Sequence, residues 1–150
     1  MSFLVDTDVL SAGAPVKSGA PAVVRWMDAN ADRLFVSVIT IAEIESGIAK
    51  ARREGATRKA QSLADWLEAL VFLYRHRLLP LDLPAARWTG ALADRARGTG
   101  RAPGFPDLAI AATAKANGLT VLTRNLRHFA DLDVPVVDPF RRLPADGDPS

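Results

Sequence analysis

Three carboxylates stand where phosphate chemistry could use them. Asp6 directly follows the apolar run Phe3-Leu4-Val5. Glu43 lies one turn beyond the apolar run LFVSV (34–38), and Asp107 opens DLAIAATAKANG, an alanine-rich run leading to TVLT (120–123). If the apolar runs are strands and the segments beside them helices, all three acids sit at strand-to-helix junctions or helix starts. In an open parallel sheet such junctions share one edge, and ligands bind in the crevice outside the carboxyl ends of the strands. Carboxylates gathered there repel one another, at a cost of about 1.36 kcal/mol per unit of raised pKa. A hard divalent cation relieves the repulsion. Mg²⁺ or Mn²⁺ takes oxygen ligands octahedrally and keeps several waters. Held by carboxylates, it activates water and neutralises charge developing on a phosphodiester, alone or as one of a pair about 4 Å apart. Hydrolysis of phosphate esters is the chemistry this spacing points to. With no cysteine and only His76 and His128, a zinc or copper site has little to be built from.

Each acid also has a structural explanation. Asp6 or Asp8 can cap a helix by accepting a bond from an unpaired amide of the first turn. Thr40-Ile41-Ala42-Glu43 fits a capping box. Asp107, after Pro106, is what a helix first turn favours against the positive end of its dipole. A side chain can do both, helping a helix to begin while presenting an oxygen to a cation.

The elements that must position these acids follow from the rest of the pattern. At 150 residues, 49% apolar and 24% charged, the chain suits a single folded domain with a sizeable core. No apolar run approaches the roughly 18 residues a membrane span needs. The first residues carry acids where a signal peptide carries bases. A cytoplasmic protein is expected, and the lack of cysteine fits a reducing compartment. Net charge is +2, with arginines in clusters such as Arg124/Arg127 and Arg141-Arg142 that permit a polyanionic partner.

Strands are expected at 2–5, 34–38, 78–82, 120–123 and 134–138, the third at a sheet edge because it contains Pro80. Helices are expected after Pro21, over 41–53, over 56–75, over 85–98 with Gly98 as C-cap, and from Asp107 to a C-cap at Gly118. The helix over 56–75 carries Leu63, Trp66, Leu67, Leu70, Val71 and Tyr74 on one face, as core or as a dimer seam. Strands alternating with helices predict an α/β three-layer sandwich, a central, largely parallel sheet flanked by helices. One domain over residues 1–140 is expected, with a disordered tail at 141–150.

Four segments in this order, LVDTDVLS (4–11), SVITIAEIESGI (37–48), LPLDLPAARW (79–88) and PDLAIAATAKANGLTVLTRNLRHF (106–129), resemble the PIN-domain ribonucleases, and within them the VapC toxins of type II toxin–antitoxin pairs. The resemblance implies a PIN-like fold and Mg²⁺- or Mn²⁺-dependent endoribonuclease activity on RNA. It also implies homodimerisation and neutralisation by a cognate antitoxin whose tail occupies the active-site groove. It maps the family's acidic positions onto Asp6, Glu43 and Asp107. A fourth acid commonly follows the next strand, and here Asn125 stands there. Asn125 can ligate through its carbonyl oxygen or orient a water, but it brings no charge, which weakens the case for a second tightly held metal. Asp8 is assigned a secondary role. Thr7 and Thr123 are expected to hold the waters or carboxylates around the metal, and Arg124 and Arg127 to hold RNA phosphates. His128, beside Phe129, is expected to be structural rather than a general base.

Two rival functions share these residues. A strand followed by Asp6-Thr7-Asp8 allows a haloacid-dehalogenase-type phosphatase, although the usual threonine after the second acid is missing and no lysine motif follows. The other is a catalytically silent PIN-like module that docks RNA or protein; a degenerate site of that kind would be expected to have lost at least one acid.

Overall fold

Residues 1–15 and 19–145 are described by the computed structural model, and among them five short strands alternate with seven α-helices. In chain order these are β1 (Phe3–Val5), α1 (Thr7–Leu10), α2 (Pro21–Ala29), β2 (Leu34–Ser37), α3 (Val38–Arg53), α4 (Thr57–Leu73), β3 (Leu78–Leu79), α5 (Leu83–Gly98), α6 (Phe105–Asn117), β4 (Thr120–Leu122), α7 (Leu126–Phe129) and β5 (Val136–Val137). The strands form one parallel sheet in the order β3-β2-β1-β4-β5. The three-layer sandwich expected from the alternation is the architecture found, with β3 at an edge.

Side-chain alternation along β1 explains the layers. Phe3 and Val5 point into one core with Leu34, Val36 and Leu122, covered by apolar positions of α2, α3 and α4. Leu4 points the other way with Val121, into a core closed by Leu92 and Ala96 of α5, Phe129 of α7, and α6. A strand buried on both faces must be apolar at every position, and FLV is. Seven consecutive residues of α6, Leu108–Ala114, are buried. Its alanines let the helix lie close to both the sheet and α5, so Asp107 stands at the tip of a helix with little room to shift.

Several local expectations are corrected. The α3 helix begins three residues early, because the Ser37 hydroxyl accepts from the Ile39 amide (3.0 Å) and caps it. Thr40 is then already helical and fully buried, so Thr40–Glu43 is not a capping box. Gly98 is the last residue of α5; the turn that ends it is at Thr99, and Gly100 takes the left-handed conformation (φ 77°). The apolar face of α4 is core: Leu67, Leu70 and Tyr74 are buried, with Leu63, Trp66 and Val71 packed against them. Of the expected tail, residues 146–150 lie outside the described residues. Residues 138–142 form a turn in which the Arg141 and Arg142 amides donate to the Asp138 carbonyl (both 3.2 Å).

Gly118 ends α6 as expected, with φ 65°, and a Cβ there would meet nothing within 4 Å. Any cost of Gly118→Ala is therefore conformational. The variant should lose about 1 kcal/mol in urea unfolding, and Gly118→Asn less.

Candidate active site

Strand order reverses at β1, with β2 and β3 on one side and β4 and β5 on the other. A crevice opens at such a switch point, outside the carboxyl ends of the strands. Asp6 stands there, one residue beyond β1. Its amide continues the ladder by donating to the Leu122 carbonyl (2.9 Å). Its Oδ1 accepts from the Thr7 amide (2.9 Å), which caps α1. Its Oδ2 accepts from the buried Thr123 hydroxyl (2.9 Å) just beyond β4. Asp6 therefore caps α1 while standing, buried, at the crevice.

Thr7 connects the second acid. Its hydroxyl donates to Glu43 Oε1 (2.8 Å) and lies 3.4 Å from the hydroxyl of Thr40. Glu43 is exposed on α3, and this bond holds it over the end of β1. Asp8 is fully engaged. Its Oδ1 accepts from the Val9 amide (2.8 Å) and its Oδ2 from the Arg124 amide (2.9 Å). Both Asp8 oxygens thus accept from backbone amides, which ties this acid to the start of α1 and to the turn after β4.

The segment after β4 is thus tied down twice, by Asp8 at Arg124 and by Thr123, whose Oγ1 accepts from the Asn125 amide (3.0 Å). Asn125 is exposed at this edge, close to the Asp6–Thr123 pair. The Arg124 guanidinium lies 3.7 Å from the Phe140 ring centroid, a stacked arrangement that leaves its in-plane N–H groups to face a phosphate.

Asp107, in the first turn of α6, is partly exposed, and its charge raises the pKa of Asp6. The histidine expected to be structural is half exposed and faces this acid: His128 Nδ1 is 3.1 Å from Asp107 Oδ2. No periodicity announces this contact, because it joins α7 to α6 across the crevice. The available signal was position, on the short helix that follows Asn125. Two further residues were missed. The Arg101 Nε pairs with Asp131 Oδ2 (2.7 Å), and its guanidinium also donates to the Arg127 carbonyl (3.2 Å). These groups line a cavity of about 550 Å³ with Asp107 in its wall.

Burial, the neighbouring charges of Asp8 and Asp107, and bonds from Thr123 and Thr7 that only partly offset them, push the Asp6 carboxyl up to about 6. Burial raises Asp8 as well, against the pull of the Arg124 and Val9 amides. Among the described residues no three carboxylate or imidazole groups close around a single point. A hard divalent cation fits nonetheless. The donors are oxygens, negative charge is in excess, and Mg²⁺ is commonly held by one or two carboxylates with waters completing its shell. Asp6 and Asp107, whose charge acts on Asp6, are the pair that meets this description, with Glu43 held nearby by Thr7.

The chain matches the PIN domain family over residues 3–135. It is 33% identical over 141 residues to Toxin FitB of Neisseria gonorrhoeae, covering 92% of this chain and 98% of that one. It is 32% identical over 140 residues to VapC ribonuclease Y4jK of Sinorhizobium fredii, covering 92% and 97%. The crystal structure of FitAcB from Neisseria gonorrhoeae superposes with a TM-score of 0.80 at 33% identity, over 92% of this chain and 98% of that one.

The buried carboxyl has a stability consequence whose sign is fixed. With its pKa raised from 3.8 to about 6, Asp6 binds a proton more tightly folded than unfolded. Its contribution is present below pH ~4 and lost as pH rises to ~6, a loss of about 3 kcal/mol. In chelator, Asp6→Asn should therefore stabilise the protein by on the order of 2 kcal/mol near neutral pH and by almost nothing near pH ~4. Urea unfolding at the two pH values checks this, and an equal effect at both would contradict the burial account.

Proposed function

This chain belongs to the PIN-domain family, and from that premise we propose that it is a metal-dependent endoribonuclease acting as the toxin of a toxin–antitoxin pair. One observation carries the proposal. Asp6, buried at the switch-point crevice, neighbours Thr7, which holds Glu43, and feels the charge of Asp107, and its own charge is poorly compensated. That arrangement destabilises an unliganded protein and suits one that binds a cation. Two relatives that each align over nearly their whole length, named a toxin and a ribonuclease, support the choice of RNA and the toxin role.

Asp6 and Asp107 would hold Mg²⁺ or Mn²⁺, with Glu43 acting directly or through a water. When bound, the cation supplies a water of lowered pKa and neutralises charge developing on the phosphodiester. The chain's own residues do the positioning. Thr123 fixes Asp6 Oδ2, Thr7 holds Glu43, and His128 orients Asp107 from across the crevice. Asn125 offers an amide to a water or a phosphate oxygen without adding charge. Arg124 and Arg127, exposed near the same edge, are suited to flanking phosphates.

Neutralisation by an antitoxin, homodimerisation and action in the cytoplasm complete the proposal. No helix among the described residues is long and apolar enough to cross a membrane.

Asp107→Asn and Asp6→Asn should each lower Mg²⁺-dependent RNA cleavage by at least about a hundredfold while leaving the fold intact. Retained cleavage by Asp107→Asn would overturn the assignment, and cleavage by neither the parent nor the variants would favour the silent binding module. Asn125→Asp restores a fourth carboxylate. It should lower the Mg²⁺ concentration giving half-maximal cleavage by about tenfold, read from rates across a magnesium titration.

A further inference from the structure

The cavity whose wall contains Asp107 lies between the end of α5, the 99–104 loop, the start of α6 and the α7 region. Its volume of about 550 Å³ is within the range of small-molecule sites. Its lining is mixed in a particular way. Ala96 and Leu132 are buried and apolar, while Arg101, Arg127, His128 and Asp131 bring polar groups to the same space. We propose that this cavity receives one unpaired nucleotide of the RNA, adjacent to the bond that is cut, and so sets which RNA is cleaved. The proposal rests on the ribonuclease function given above and adds the recognition that function requires.

Three features support a nucleotide as the occupant. Asp107 belongs both to the acid cluster and to the cavity wall, so a phosphodiester seated at the acids places its neighbouring nucleotide at the cavity mouth. The Arg101 guanidinium is held in place by Asp131 (2.7 Å) and by the Arg127 carbonyl (3.2 Å), which leaves fixed donors beside a carboxylate acceptor. A base edge offers donors and acceptors together, and such preordered polar groups can discriminate among bases. Arg127 is exposed, and its guanidinium has no ion pair among the described residues, so it can meet the nucleotide's phosphate. Base-paired RNA cannot enter, because a base must be splayed out of its stack to fill a cavity of this kind.

The test uses the full chain in chelator, where binding is separated from cleavage. A short single-stranded RNA of mixed sequence should shift the backbone amides of Arg101, Ala102, Gly104 and residues 127–132 in nitrogen-15 NMR spectra, and a duplex of equal length should not. Ala102→Trp, at an exposed lining residue, should plug the mouth, erase those shifts and weaken binding by about tenfold. Arg127→Ala should weaken binding without erasing the shifts. In Mg²⁺, with a randomised RNA pool, Ala102→Trp should broaden the base preference at one position flanking the cut. Shifts confined elsewhere, or an unchanged preference in Ala102→Trp, would overturn the cavity's role. The expected shifts with no cleavage in Mg²⁺ would support the nucleotide in the cavity and overturn the ribonuclease function instead.

Discussion

The bond from the Thr123 hydroxyl to Asp6 Oδ2 is the constraint on which the rest of the site depends. It joins residues 117 positions apart at the one place where the strand order reverses. A carboxylate that is only 5% exposed must have its oxygens satisfied. One is met by the local helix start, and the other can be met only if β4 is in register with β1. Sheet register and site geometry are therefore the same fact. The ladder from Phe3 opposite Thr120 to Val5 opposite Leu122 delivers Thr123 beside Asp6, and a slip of one residue would remove it. No buried polar side-chain atom among the described residues lacks a partner.

The two neighbouring acids divide the labour. Asp8 spends both oxygens on backbone donors and shapes the turn after β4. Asp6 keeps its carboxylate at the crevice with a raised pKa. Burial disfavours the ionised form of both acids, and Asp8 offsets part of that through the backbone amides by which it holds the surrounding loop in place. Such an arrangement is expected where an acid is kept for chemistry rather than for stability.

Much of this was legible in the sequence. The alternation of apolar runs with helix-spaced segments specified the layers. FLV and the alanine-rich run before Gly118 specified the central strand and the helix that bears Asp107. Propensity rules also placed the left-handed end of α6 and a cap at Asp6 or Asp8, a choice the structure settles at Asp6. What was hidden was long-range or competitive. Ser37 and Thr40 are both good caps, and which one wins depends on where β2 stops pairing with β3, since Ser37 is itself the last paired residue. The contacts of His128 with Asp107 and of Arg101 with Asp131 join elements whose relative placement no local pattern reports. The α4 stripe suited either a core or a seam, and only the packing of Leu67 and Tyr74 decides it.

The Thr123–Asp6 bond also bears on how the protein is made. A chain growing in the N-to-C direction carries Asp6 and Glu43 well before Asp107 and Thr123, which follow Asp6 by 101 and 117 positions. Until then β1 lacks its β4 neighbour and Asp6 lacks the hydroxyl that fixes it. The three acids and the bond that fixes Asp6 therefore come together only once the segment from Asp107 to Thr123 has been made and β4 has joined the sheet.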